Sequence, residues 1–361
     1  MGGYVGLMPA GALNTALSNF AKEFADDDVP LAGDRIFPKV PVDRQSYQYV
    51  IWDRQNLRVP GSTLRAPGGG ATEIRRSYST DTYFCRSHAL KGKVPFESEA
   101  YGEGLGFSTK QHLTGDLIGR IRRARENEIA TMALSTTNFP NGVTLSGGAQ
   151  WDSYITTPAN DTEANVTSHP VVAMTAYKAI LRQAAVPDNL MVLILSDPVA
   201  QALENHPDLI ERFKFTNPSG NISLDQMASA FGLQPGNVVR ASAITMNQDN
   251  VSSYIWGANA FLGYSKPNPD REDVSCGKTF VWAGGKGPGG GGSAMPGAPG
   301  TIDGYGVLEW IDPELDTKTY IQSVDWYYGL KVTAVETGIP ILAAVNLSNF
   351  PMSAIPGTIE G

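Results

Sequence analysis

Residues 190–213 read LMVLILSDPVAQALENHPDLIERF. Its first six residues, 190–195, are the longest purely apolar run in the chain. That is the length of a strand buried on both faces, and far short of the ~20 residues of a membrane-spanning helix. Asp197-Pro198 then supplies a cap and a first-turn proline, so a helix starts there and runs to Asn205. Pro207 restarts it as far as Phe213. A buried strand turning directly into helix is the unit of a layered α/β domain.

On either side the alternation continues. Residues 170–184 set Ala173, Tyr177, Ile180, Leu181 and Ala184 on one helical face. Ser223 with Gln226 forms a capping box, and Gly232 closes that helix. Strands are expected at 238–245, 253–262, 279–282, 320–335 and 339–345, with a flexible Gly/Pro loop at 284–306.

Upstream, Ser108 and Gln111 read as another capping box. Leu113, Leu117, Ile121, Ala124 and Met132 follow at helical spacing, until Asn138, Pro140 and Gly142 end the pattern. The spacing predicts a helix over 109–137, roughly 42 Å long. Arg120, Arg122, Arg123 and Arg125 cluster in its middle. They form either a solvated face with pairs such as Asp116–Arg120 and Arg122–Glu126, or a surface turned to a polyanion or an acidic neighbour.

Ahead of the helix, 46–58 alternates, with Tyr47, Tyr49, Ile51, Leu57 and Val59 on one face. A second β-type run spans 72–84, and Pro60-Gly61-Ser62 and Pro67-Gly68-Gly69-Gly70 lie between the two. The pair predicts a long two-stranded ribbon with a mobile Gly-rich tip. Such a ribbon is marginal alone in water, so it needs a partner surface. Its Arg-rich flank calls for an acidic one. Residues 1–33 read as an arm with a short amphipathic helix at 13–24, broken by Asp26, Asp27 and Asp28.

The chain has 361 residues, 42% apolar and 18% charged, which excludes a coiled-coil rod, a collagen and a wholly disordered chain. The net charge of −8 is unevenly spread: residues 35–125 carry a net +8 and the remainder −16. Complementary contact between copies would use such a split. A pI near 5.1 speaks against nucleic-acid binding as the main role. No signal peptide or membrane segment is expected, and Cys85 and Cys276 are too few for a zinc or disulfide framework. Cys276-Gly277-Lys278-Thr279 ends like a phosphate loop, but Glu272 stands where its first glycine belongs. Gly291-Gly292-Ser293-Ala294-Met295 fails as a nucleophile elbow at Met295. His88, His112, His169 and His206 show no metal spacing. No catalytic, cofactor-binding or metal-binding residues are therefore assigned.

The order of parts (arm, ribbon, long helix, mixed α/β region ending in strands) resembles the major capsid proteins of tailed bacteriophages with the HK97 fold. The likeness is greatest to the major capsid protein E type. It is carried by Leu193 through Pro198 running into Leu203-Glu204-Asn205-His206-Pro207-Asp208-Leu209-Ile210, by Phe280-Val281-Trp282, and by Glu336-Thr337-Gly338-Ile339. The resemblance implies an α+β, HK97-like capsid fold. Its parts would be an N-terminal arm (1–45), an extended β-hairpin loop (46–84), and a peripheral domain (85–169) with its spine helix at 109–137. A mixed α/β axial domain with returning peripheral strands (170–345) and a C-terminal tail (346–361) would follow.

The resemblance further implies a structural, non-enzymatic protein that assembles into pentamers and hexamers around a double-stranded DNA genome. It would be made in the host cytoplasm and reside in the virion. Trp52, Arg54, Arg58, Leu64, Arg65, Arg75 and Arg76 of the extended loop would make inter-subunit contacts. Arg120, Arg122, Arg123 and Arg125 would form a lumen-facing basic cluster in weak, non-specific contact with DNA. A scaffolding protein, a portal and a cement or decoration protein are the other implied partners, with no membrane. No lysine lies between Lys39 and Lys91, which speaks against the isopeptide crosslinks some members form from this loop. An encapsulin-like compartment is the alternative within the fold, and a soluble α/β enzyme the alternative outside it.

Overall fold

The computed structural model describes residues 12–13, 31–52, 56, 63–65, 67–71, 73–75, 77–105, 108–156, 168–215, 222–246, 252–282, 305–313 and 318–350. In chain order the first half runs β1 (Ala12–Leu13), α1 (Gly33–Ile36), β2 (Lys39–Val42), β3 (Ser46–Trp52), β4 (Tyr78–Phe84), β5 (Arg86–Pro95), α2 (Phe96–Leu105), α3 (Thr109–Ala133), β6 (Val143–Thr144) and α4 (Ser153–Thr156). The second half runs α5 (Pro170–Gln183), β7 (Met191–Ser196), α6 (Asp197–Glu204), α7 (Pro207–Phe213), α8 (Leu224–Phe231), β8 (Val238–Ala241), β9 (Ile244–Met246), β10 (Ser252–Tyr254), β11 (Ala260–Tyr264), β12 (Gly277–Trp282), β13 (Tyr305–Ile311), β14 (Thr319–Val332) and β15 (Gly338–Leu342).

Two sheets carry the fold. A five-stranded sheet has the order β6-β15-β11-β7-β8. A six-stranded one has the order β1-β13-β14-β12-β2, and β5 also pairs with β14. The apolar run forms β7, and its two faces serve different cores. Met191, Leu193 and Leu195 pack with α5, α6 and α8, whereas Val192 and Ile194 pack with Ile129, Ala130 and Ala133 of α3. Burial on both faces is why this strand does not alternate in sequence. Each fully buried Leu or Ile there contributes about 1.5–3 kcal/mol.

The long helix α3 joins the sheets. Its first half sets Leu117, Ile118 and Ile121 on Val281, Val307, Val324 and Trp326 of the six-stranded sheet. Its second half lies on the five-stranded sheet. Ser108 caps it by accepting from the Gln111 N–H. It ends at Ala133, four residues before the expected 137, with Leu134 as the C-cap. The Ser223–Gln226 capping box forms in full, and Gly232 caps α8 in the left-handed region with φ +64°.

Other boundaries differ from expectation for physical reasons. The strand expected over 238–245 splits, because β8 pairs β7 only as far as Ser196↔Ala241, where β7 gives way to α6. The strand expected over 253–262 is broken by a turn at Gly257, φ +58°. The helix expected from 13 to 24 begins on a residue that is strand: Leu13 pairs with Leu308. The rest of that helix, and nearly all of the 284–306 loop, lie outside the described residues.

Candidate functional site: the ribbon root and the spine-helix arginines

β3 and β4 pair antiparallel from Ser46↔Phe84 to Trp52↔Tyr78. At the root the ribbon is fixed to the body by aromatic packing. Tyr83 stacks on Phe280 of β12 at 4.4 Å between ring centroids, and Tyr49 tilts over the same ring at 5.5 Å. Both tyrosines are buried, with Val40, Val42, Cys85 and Trp282 around them. Tyr47, placed by the alternation on the same face as Tyr49, is 44% exposed. The guanidiniums of Arg44 and Arg271 lie 5.0 and 5.2 Å from its ring. An open cleft of about 790 Å³ beside it is lined by Asp43, Arg44, Asp270 and Arg271 among others.

Further out the expected contact residues are exposed where they are described. Leu64 is 92% exposed. Arg65 donates to the Gly69 carbonyl, and Arg75 pairs with Glu73 at 3.1 Å, within its own ribbon. Arg54, Arg58, Arg76 and the side chain of Trp52 lie outside the described residues.

The four helix arginines do not share one environment. Arg120 and Arg123 are exposed and Arg122 is half-buried. Arg125 is buried, which corrects its assignment to a lumen-facing cluster. It pairs with Asp34, donates to Thr279 Oγ1 at 3.0 Å, and lies 5.2 Å from the Trp326 ring. Burial alone would raise the Asp34 carboxyl, but the Arg125 guanidinium beside it holds it below the usual range.

Glu126 does not pair with Arg122 as the helical spacing predicts. Its carboxylate accepts from the Ala32 and Gly33 N–H groups at 3.1 and 3.0 Å, and from Trp256 Nε1 at 2.8 Å. Burial raises its pKa, and the Trp256 bond opposes that rise. A Cβ on Gly33 would sit 2.5 Å from Glu126 Oε2, so any larger residue there would displace the carboxylate from its bonds. Arg125 and Glu126 thus anchor residues 32–34 between the two sheets. Helical periodicity carries no signal for partners more than 90 residues away. Gly329, alone inside the long strand β14, is a residue the sequence could have flagged as a point of close backbone approach. A Cβ there would lie 2.4 Å from the Phe84 carbonyl oxygen, at the root of the ribbon.

Among the described residues no group of three or more His, Cys, Asp and Glu could hold a metal ion. No helix among them is long and apolar enough to cross a membrane. His169 and His206 are the N-caps of α5 and α7. Lys278, from the failed phosphate loop, is buried and donates to the Asp270 and Arg271 carbonyls at 3.0 and 2.8 Å.

This two-sheet architecture with an outlying ribbon and a joining helix is the HK97-like fold of phage capsid subunits. A phage-related protein of Bordetella bronchiseptica RB50 superposes with a TM-score of 0.65 at 24% identity, over 93% of this chain and 98% of that one. The capsid of Cyanophage P-SCSP1u superposes with a TM-score of 0.51 at 9% identity, over 95% and 91%. No protein-family profile matches the chain. In sequence it is 22% identical over 259 residues to the major capsid protein of Pseudomonas phage JBD67, covering 70% of this chain and 78% of that protein.

Proposed function

We propose that the chain is a non-enzymatic major capsid subunit that assembles with copies of itself, as pentamers and hexamers, into the icosahedral head of a tailed phage. The carrying observation is the coincidence of a capsid fold over nearly the whole chain with a sequence relative that is itself a major capsid protein. That relative favours a genome shell over an encapsulin-like compartment. The subgroup read from sequence, the E type, is part of the proposal. In this reading the ribbon residues Trp52, Arg54, Arg58, Leu64, Arg65, Arg75 and Arg76 contact a neighbouring subunit. Arg120, Arg122 and Arg123 touch packaged DNA weakly. Scaffolding, portal and cement proteins complete the particle, assembly takes place in the host cytoplasm, and the product resides in the virion.

Light scattering after size exclusion, with negative-stain microscopy of the expressed chain, tests the reading. Shells or five- and six-fold capsomers are expected. A protein that stays monomeric both alone and with its phage's scaffolding protein would overturn it.

A further inference from the structure

Besides the Arg271 guanidinium over the Tyr47 ring, the ribbon meets the body at two places along β14 that differ in chemical character. At the inner one, the end of β4 crosses β14 so closely that Gly329 has no room for a side chain against Phe84. Tyr83 and Tyr49 close on Phe280 beside it. The three rings are buried in the core, while Gly329 is half-buried and the Phe84 side chain points out, 55% exposed. The outer one is a single carboxylate. Asp81 Oδ2 accepts from Lys331 Nζ at 2.8 Å and from the Tyr49 hydroxyl at 3.0 Å, and Oδ1 accepts from the Thr82 N–H at 2.7 Å. Tyr49 and Thr82 belong to the ribbon, so among these three donors only Lys331 ties it to the body. Lys331 stands on β14, two residues past the Gly329 crossing.

We propose that Lys331 and Asp81 form a releasable latch that sets the angle at which the ribbon leaves the body, with the Gly329–Phe84 crossing as its fulcrum. The lysine bond holds the Asp81 carboxyl below its usual range. The pair's side chains are 36% and 42% exposed, and a half-exposed pair is weak enough to open. Opening it leaves the seven-residue β3–β4 ladder and the aromatic root intact. The ribbon would then swing as a unit without unfolding. Ser79 lies five residues out from Phe84, about 17 Å along the strand, so a modest rotation moves it by several Å. In the capsid reading, which this consequence rests on, the latch sets where the ribbon meets its neighbour.

The test is a spin-label distance measured in the isolated subunit carrying Ser79→Cys on β4 and Thr131→Cys on α3, both exposed positions. Cys85 and Cys276 are buried, and burial pushes their thiols up to about 12, so the introduced cysteines take the label. A single narrow distance is expected. Lys331→Gln should broaden or shift it by several Å with near-ultraviolet circular dichroism unchanged. The exchange Asp81→Lys with Lys331→Asp should restore it. A Lys331→Gln distribution identical to that of the parent would overturn the latch, whatever the assembly state. Failure of the parent to assemble would overturn the capsid reading and leave the latch standing.

Discussion

His206 is the N-cap of α7, and its ring is fully buried. Nδ1 accepts from the Asp208 N–H at 3.2 Å, and Nε2 faces Ser168 Oγ at 3.0 Å. An Nδ1 that accepts cannot carry a proton, so the folded state requires neutral imidazole. Burial depresses the pKa to about 4 from an ordinary 6.5, against the pull of the nearby Asp208 carboxylate. Between those values the unfolded chain binds the proton and the folded one does not. Stability is therefore complete above pH 6.5 and falls as the pH drops towards 4, by about 3 kcal/mol. Urea midpoints measured across that window should fall more steeply for the parent than for His206→Asn, which keeps a capping side chain. Parallel slopes would show that another group carries the acid sensitivity. The proline that follows His206 marks it as structural in the sequence, but Ser168, 38 residues away, could only be found by folding.

At the scale of elements, legibility follows local pattern. The buried strand β7, the Ser223 capping box and the long helix each announce themselves within a few residues. Strand β5 does not. Its ten residues are mostly exposed and show no alternation, so nothing local marks them as a strand. It is a strand because it pairs with β14 from Arg86↔Tyr328 to Pro95↔Thr319, a partner more than 220 residues away. Pairing overrides a neutral local preference. The ribbon is legible as a hairpin, but its root is not, since Lys331 and Gly329 come from the far end of the chain. The root carries the packing, so removal of residues 61–70 should leave the subunit's thermal midpoint within a few degrees of the parent. In the capsid reading the same deletion should prevent shell closure. Normal shells from that variant, seen by negative stain, would take the ribbon out of assembly.

For the whole molecule the question is what the uneven charge does. The net +8 of residues 35–125 is not one patch, because the structure uses some of it internally. Arg125 is spent on Asp34, Lys110 on Glu309, and Lys93 on Asp312. On α3 the described ion pairs are those of Lys110 and Arg125; Arg120 and Arg123 are exposed, and half-buried Arg122 adds its charge to the field at Asp34. Two kinds of arginine therefore sit within six residues, and substitution should separate them. Arg125→Gln strips the Asp34 carboxylate, itself a third exposed, of its buried partner and should cost about 1–3 kcal/mol of subunit stability. Replacing Arg120, Arg122 and Arg123 together by Gln should cost less than Arg125→Gln, because Arg120 and Arg123 are exposed, half-buried Arg122 makes no described ion pair, and such charges contribute at most about 1 kcal/mol each. If these three touch the genome, shells of the triple variant should form normally and release DNA at lower salt than the parent. Each phosphate left without its arginine keeps its counterions, which weakens the salt dependence of DNA retention. A nuclease-protection titration against salt reads this directly. Coincident parent and triple-variant curves would place the three arginines on a purely solvated face, and failure to form shells would place them at a subunit interface.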